Sequence, residues 1–236
     1  MLDSGPVGEE RQPQQLEAAG LLQVLATEHW SLLATRALTY NESLSRVTMF
    51  LSVLSGAVIA LALVAQADRF GRTFLLIAIL VLSVVLFVGV ATVARLGRLN
   101  YDDMAWVIGM NRIRHAYIEV FPQLERYLVA SPHDDARGMA LTMGADRSPP
   151  RGLGQLAHGV QTLPGMVGLI VSVVAGALGA LVAEALDGPT EIAVAAAVAG
   201  FSVTAVLLLL SLFRSFLRFR AGLTPRFPRE EPAKPQ

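Results

Sequence analysis

A chain of 236 residues that is 53% hydrophobic and only 16% charged, with a mean hydropathy of +0.52, departs from soluble domains, where about a quarter of residues are charged. Its 19 basic and 19 acidic residues cancel, which excludes a net field that would gather nucleic acid or acidic substrates. The absence of cysteine excludes disulfides, thiolate metal sites and cysteine nucleophiles.

Residues 1–14 lack apolar periodicity and are expected to be disordered. Residues 15–46 read as a cytosolic amphipathic helix. Trp30, Leu33, Tyr40 and Leu44 fall at alternating spacings of three and four, a narrow seam of coiled-coil type. Arg36, Glu42 and Arg46 lie off that seam, with Glu42 four residues before Arg46, a favourable pairing. In "TRALTYNESLSRVTMFLSVLSGAVIALALVAQ" (35–66) no proline separates this polar stretch from twenty uncharged residues. One helix continuing into the membrane is therefore expected, although Asn41 could cap a new one.

Four segments, 47–66, 73–94, 166–186 and 192–213, are long and apolar enough to cross a bilayer core of about 30 Å as helices. They pair into a first hairpin (47–94) and a second (166–213) through the short connections "ADRFGR" and "DGPTE". Arginine and lysine are distributed unevenly. Seventeen of the nineteen lie before the first span, between the second and third, or after the fourth, leaving only Arg69 and Arg72 on the opposite side. By the positive-inside rule that asymmetry leads both termini and the middle segment to be expected on the cytoplasmic side, and the membrane is expected to be a bacterial inner (plasma) one.

Small residues recur every fourth position: Ser52, Gly56 and Ala60 in the first span, Gly168, Ser172, Gly176 and Ala180 in the third, Ala196 and Gly200 in the fourth. Such faces let helix backbones approach closely, within one bundle or between copies. "SVLSGAVIAL" (52–61) also lies over "SVVAGALGAL" (172–181), as a duplicated hairpin would.

Between the hairpins, residues 95–163 form a second cytosolic helical segment. Trp106, Met110, Ile113 and Tyr117 make a stripe matching the first seam, opposite Asn111, Arg112, Arg114, His115 and Glu119. Pro122 ends or bends this helix. His133, Asp134 and Asp135 in "SPHDDARG" could ligate a divalent cation. The structural alternative is a helix start, with Ser131 as N-cap, Pro132 at N1 and the acids facing the helix dipole, and it is the one favoured. "GLGQLAHG" (152–159) has no preceding strand and fails the dinucleotide pattern. Residues 214–236, basic and rich in proline, are expected to form a disordered tail.

"WSLLATRALTYNESLSRVTMFLSVLSGAVIALALV" and "GMNRIRHAYIEVFPQLERYLVASPHDD" resemble a family of small actinobacterial four-span membrane proteins that brings no activity with it. The plan is also similar to that of two-span and four-span membrane effectors of bacterial nucleotide-signalling defence systems. The sequence nominates no catalytic constellation and no cofactor. No ionisable residue lies near a span midplane, which argues against coupled transport. The expected protein is thus all-α, polytopic and non-enzymatic. It self-associates, contacts lipid, and receives a cytosolic protein or small-molecule signal rather than nucleic acid. Alternatives are an oligomeric pore or membrane-disrupting effector, and a membrane enzyme with an unrecognised site.

Overall fold

The computed structural model describes residues 11–144 and 162–229. Among them the chain is all-helical, with no strand. In order come α1 (Arg11–Asp68), α2 (Arg72–Val120), a 3-10 turn (Pro122–Tyr127), α3 (Ala136–Thr142), α4 (Leu163–Ala185) and α5 (Thr190–Ala221). Four of these, α1, α2, α4 and α5, are long and apolar enough to cross a membrane. The 58 residues of α1 span roughly 87 Å at 1.5 Å each, so a bilayer would take up only part of it.

The turns have local causes. Asp68 closes α1 and opens α2: its carbonyl accepts from the Gly71 amide at 2.9 Å and its carboxylate from the Phe74 amide at 2.7 Å. A Cβ on Gly71 would lie 2.9 Å from that carboxylate and 3.0 Å from the Asp68 carbonyl oxygen, so any larger residue would crowd the turn. At the end of α4, Asp187 takes the left-handed conformation at φ 56°. Its amide bonds the Glu184 carbonyl and that of Gly188 bonds Ala183, the two bonds of a Schellman motif.

The chain divides into two compact units. The first comprises residues 1–39, 102–148 and 222–236; the second comprises 40–101 and 149–221. Phe50 of α1, Leu82, Val85, Val93 and Leu96 of α2, and Val167, Val171 and Val174 of α4 form the core of the second unit. Gly89 admits two of these side chains, since a Cβ there would stand 2.5 Å from Val171 and 2.9 Å from Phe50. Helices α4 and α5 meet backbone to backbone. Added Cβ atoms on Gly176, Gly179 and Gly200 would fall 2.9, 2.6 and 2.7 Å from the carbonyl oxygens of Ala197, Ala196 and Ala175.

The small-residue faces therefore divide. Gly168, Ser172 and Gly176 are buried and Ala180 half-buried, while Ala196 and Gly200 supply the facing surface. Ser52, Gly56 and Ala60 are exposed, and nothing lies within 4 Å of a Cβ at Gly56. Gly179, which makes the closest approach, lies outside the expected series.

Three expectations are corrected. Helix α1 begins at Arg11, inside the stretch expected to be disordered; residues 1–10 lie outside the described residues. The tail expected to start at 214 is still helical to Ala221, and 224–229 is tied into the first unit as described below; 230–236 is undescribed. The apolar seam of α1 is rotated outward. Trp30, Leu33, Tyr40 and Leu44 are exposed, whereas Leu25, His29, Leu32 and Arg36 are half-buried. Ion pairing, together with Leu32 packed on Gly109, accompanies the rotation. Arg36 Nε donates to Asp103 at 2.6 Å in the first unit, and in the second Arg95 reaches Glu42 at 2.9 Å, sharing it with Arg46. Turning α1 toward α2 brings these charges together at the expense of four apolar side chains.

Candidate functional site: the Asp134 clasp

The polar centre of the first unit grows from a short stretch of irregular backbone. After the 3-10 turn, the Ser131 hydroxyl accepts from the His133 amide at 3.1 Å, and α3 starts only at Ala136. Its N-cap is Asp135, whose Oδ1 accepts from the Gly138 amide at 2.6 Å. The expected cap at Ser131 is thus displaced by four residues. Gly138 packs on the His133 carbonyl so closely that no Cβ could stand there.

Asp134 is fully buried. Its Oδ2 accepts from Arg112 Nε at 2.7 Å and from the Arg226 amide at 2.9 Å, and its Oδ1 from the Phe227 amide at 2.8 Å. The Asp134 amide returns a bond to the Phe227 carbonyl, Asp135 Oδ2 accepts from the Arg229 amide at 3.1 Å, and Arg112 Nη2 donates to the Thr224 carbonyl at 3.3 Å. The two adjacent carboxylates hold residues 224–229 by their main chain, and the His115 ring stacks on Phe227 at 4.1 Å. Burial alone would raise the Asp134 pKa. The Arg226 amide, the Arg112 guanidinium and the Phe227 amide outweigh it and hold the carboxyl below its ordinary value.

Asn111, also fully buried, ties α2 to this loop. Its Nδ2 donates to the His133 carbonyl at 2.8 Å, and its Oδ1 accepts from Arg114 Nη1 at 2.8 Å and Thr142 Oγ1 at 2.9 Å. Asn111 and His115 were expected on the solvent face of α2; both instead turn inward, onto the loop and the tail. Along α2, Met110 and Ile113 are buried and Trp106 and Tyr117 half-buried. His29 stacks on Tyr117 at 6.3 Å; burial, and then the Arg114 charge, lower its pKa. Among the described residues, the buried Trp106 Nε1 and His133 Nδ1 have no hydrogen-bond partner.

His133, Asp134 and Asp135 are therefore together, but their oxygens are committed. Three donors occupy Asp134, which has about four lone-pair directions and no access to solvent. Among the described residues no group of three His, Asp or Glu is placed to hold a metal ion. The arrangement can bind an extended peptide backbone. The partner segment was not legible as such, although its signal exists: in "TPRFPR" each proline disfavours helix for the residue before it, leaving the Arg226 and Phe227 amides free for carboxylates. "GLGQLAHG" lies outside the described residues.

No protein family, curated protein or solved structure matches this chain.

Proposed function

We propose that the chain is a non-enzymatic four-span protein of a bacterial inner membrane. In this reading α1–α2 and α4–α5 form two transmembrane hairpins, both termini and the Asp134 clasp are cytoplasmic, and the protein self-associates. The observation that carries self-association is the vacancy beside Ser52, Gly56 and Ala60. In α4 the same spacing is filled by a facing backbone; in α1 it stands open on a helix apolar enough to lie in lipid. A second copy supplies what α5 supplies to α4, because small residues give close backbone contact where lipid offers no hydrophobic drive. Trp30 and Leu33, exposed on the same helix, add apolar surface that the first unit leaves uncovered. Such surface on one helix is the usual mark of a partner.

The orientation rests on the arginine asymmetry, and the clasp then serves as the receiving element for a cytosolic partner or signal. The absence of cysteine makes the test direct. Single cysteines at Tyr117 and Arg69 should be labelled from the cytoplasmic and the external side, respectively. Cysteines at Gly56 should crosslink between copies, and the mass in mild detergent should exceed that of one chain. A strict monomer removes self-association, and external labelling at Tyr117 inverts the topology.

A further inference from the structure

The second unit contains an apolar cavity of about 320 Å³ among α2, α4 and α5, at the lower end of the range for small-molecule sites. Its space comes from small residues: Gly97 on α2, Gly165 and Gly168 on α4, and Ala205 on α5. Leucine and phenylalanine side chains of α5, among them Leu208, Leu212, Phe213 and Phe216, supply the wall. Apart from the half-buried Asn100, the polar side chains in the lining are already engaged. Ser172 Oγ donates to the Gly168 carbonyl, the Tyr101 hydroxyl to the Leu212 carbonyl at 2.7 Å, and Thr162 Oγ accepts from the Gly165 amide. A polar group inserted here would lose its hydration and find little in return; a hydrocarbon chain would not.

Among the described residues, charge lies beside one end of the cavity. The stretches that line the cavity, 97–101 on α2 and 212–216 on α5, carry Arg98 and Arg214, with Arg218 one turn further on, and all three are exposed. Arg218 lies within electrostatic reach of Tyr101, whose ring stacks on Phe219. We infer that the cavity binds one acyl chain of an anionic amphiphile, with its headgroup held by these guanidiniums. The hydrocarbon fills the space left by the glycines, and the acid meets arginine side chains long enough to reach the interface. The inference rests on the membrane reading above.

The test uses the full chain, purified in mild detergent and examined by native mass spectrometry with phosphatidylglycerol, phosphatidylcholine or oleate added at equal concentration. Wild type should retain one phosphatidylglycerol per chain about tenfold better than phosphatidylcholine. Equal retention of oleate assigns the site to a free fatty acid, and weaker retention assigns it to the phospholipid. Gly168→Leu should fill the cavity and abolish retention, since a Cβ there makes only ordinary contact with Leu208 at 3.7 Å. Ala205→Leu fills the cavity from the other wall and replaces it should that variant not fold. Gly56→Leu, which adds the same bulk on an open face away from the cavity, should leave lipid retention per chain unchanged. Arg214→Gln with Arg218→Gln should remove the preference for the acid while the chain still binds. Equal retention of both phospholipids by wild type, or wild-type retention by both cavity-filling variants, overturns the inference. Release of the protein from membranes by alkaline carbonate overturns the membrane reading as well.

Discussion

In the second unit, Gly176, Gly179 and Gly200 bring one helix backbone against another, and the core beside them is valine, leucine and phenylalanine. In the first, Asp134 and Asn111 are as deeply buried as any core residue, and each collects several hydrogen bonds. One unit is held by shape and the other by directed polar bonds around a smaller apolar centre of Val107, Met110 and Ile113. The two are therefore sensitive to different perturbations: added bulk should break the second, and lost charge or acid should break the first.

The largest effect is expected where bulk meets backbone. Gly179→Leu and Gly200→Leu each drive a side chain into a carbonyl that cannot rotate away, so the cost should reach about 3 kcal/mol, the upper end of usual overpacking. Gly56→Leu should cost under about 0.5 kcal/mol, as surface changes do, while altering oligomer mass. Thermal melts in detergent compare the three, and equal melting temperatures would erase the distinction between the two faces.

Next is the clasp itself. Asp134→Ala leaves the Arg226 and Phe227 amides and the Arg112 guanidinium without their acceptor, and should cost about 3 kcal/mol. Asp135→Ala, which removes an N-cap and one bond to the tail, should cost about 1 kcal/mol. Tryptic cleavage after Arg226 should accelerate in the first variant far more than in the second. Both tryptophans, Trp30 and Trp106, belong to the first unit, so their emission follows this unit alone.

Acid should act through the same carboxylate. Asp134 has a folded pKa below the ordinary value of 3.8, so its contribution is complete above the unfolded pKa and is lost as pH falls through the folded one. The stability gap between wild type and Asp134→Asn, read by tryptophan emission, should stay flat above about pH 5 and close below 3.8. His29 works in the same sense but in a higher pH window, and separately. Its lowered pKa makes folding less favourable once pH drops below 6.5, equally in both proteins, and so cancels from the difference. A gap that closes near neutrality would mean that a group other than this carboxylate sets it.

Sequence legibility follows the same division. The four apolar helices were plain, because burying twenty consecutive apolar residues in lipid leaves few alternatives. Periodicity put Met110 and Ile113 on one stripe, and spacing put Gly176 and Gly200 in small-residue faces. The environment of Ser52 and Gly56 was not legible, since "SVLSGAVIAL" and "SVVAGALGAL" differ too little to say which has a small-residue helix opposite it. Only the facing Ala196 and Gly200 decide that. The clasp escaped for a different reason. Asp134 is satisfied by amides some ninety residues away, and main-chain donors carry no residue-type signature.

The smallest expected effect concerns the rotation of α1. Apolar spacing favours Trp30 and Leu33 facing α2, yet Arg36 and Asp103 are the side chains that meet. An ion pair with both partners partly exposed contributes about 0.5 kcal/mol and weakens with salt. That is less than burying one indole, so the pair cannot hold the rotation alone; Leu32, packed on Gly109, must share in it. A double-mutant cycle on Arg36→Ala and Asp103→Ala should give a coupling of that size, shrinking at high salt, with Trp30 emission still that of an exposed indole. If Trp30 emission shifts to the blue in the double variant, charge was holding the helix against its own apolar pattern, and the exposed seam is an alternative packing rather than a face kept for a second copy.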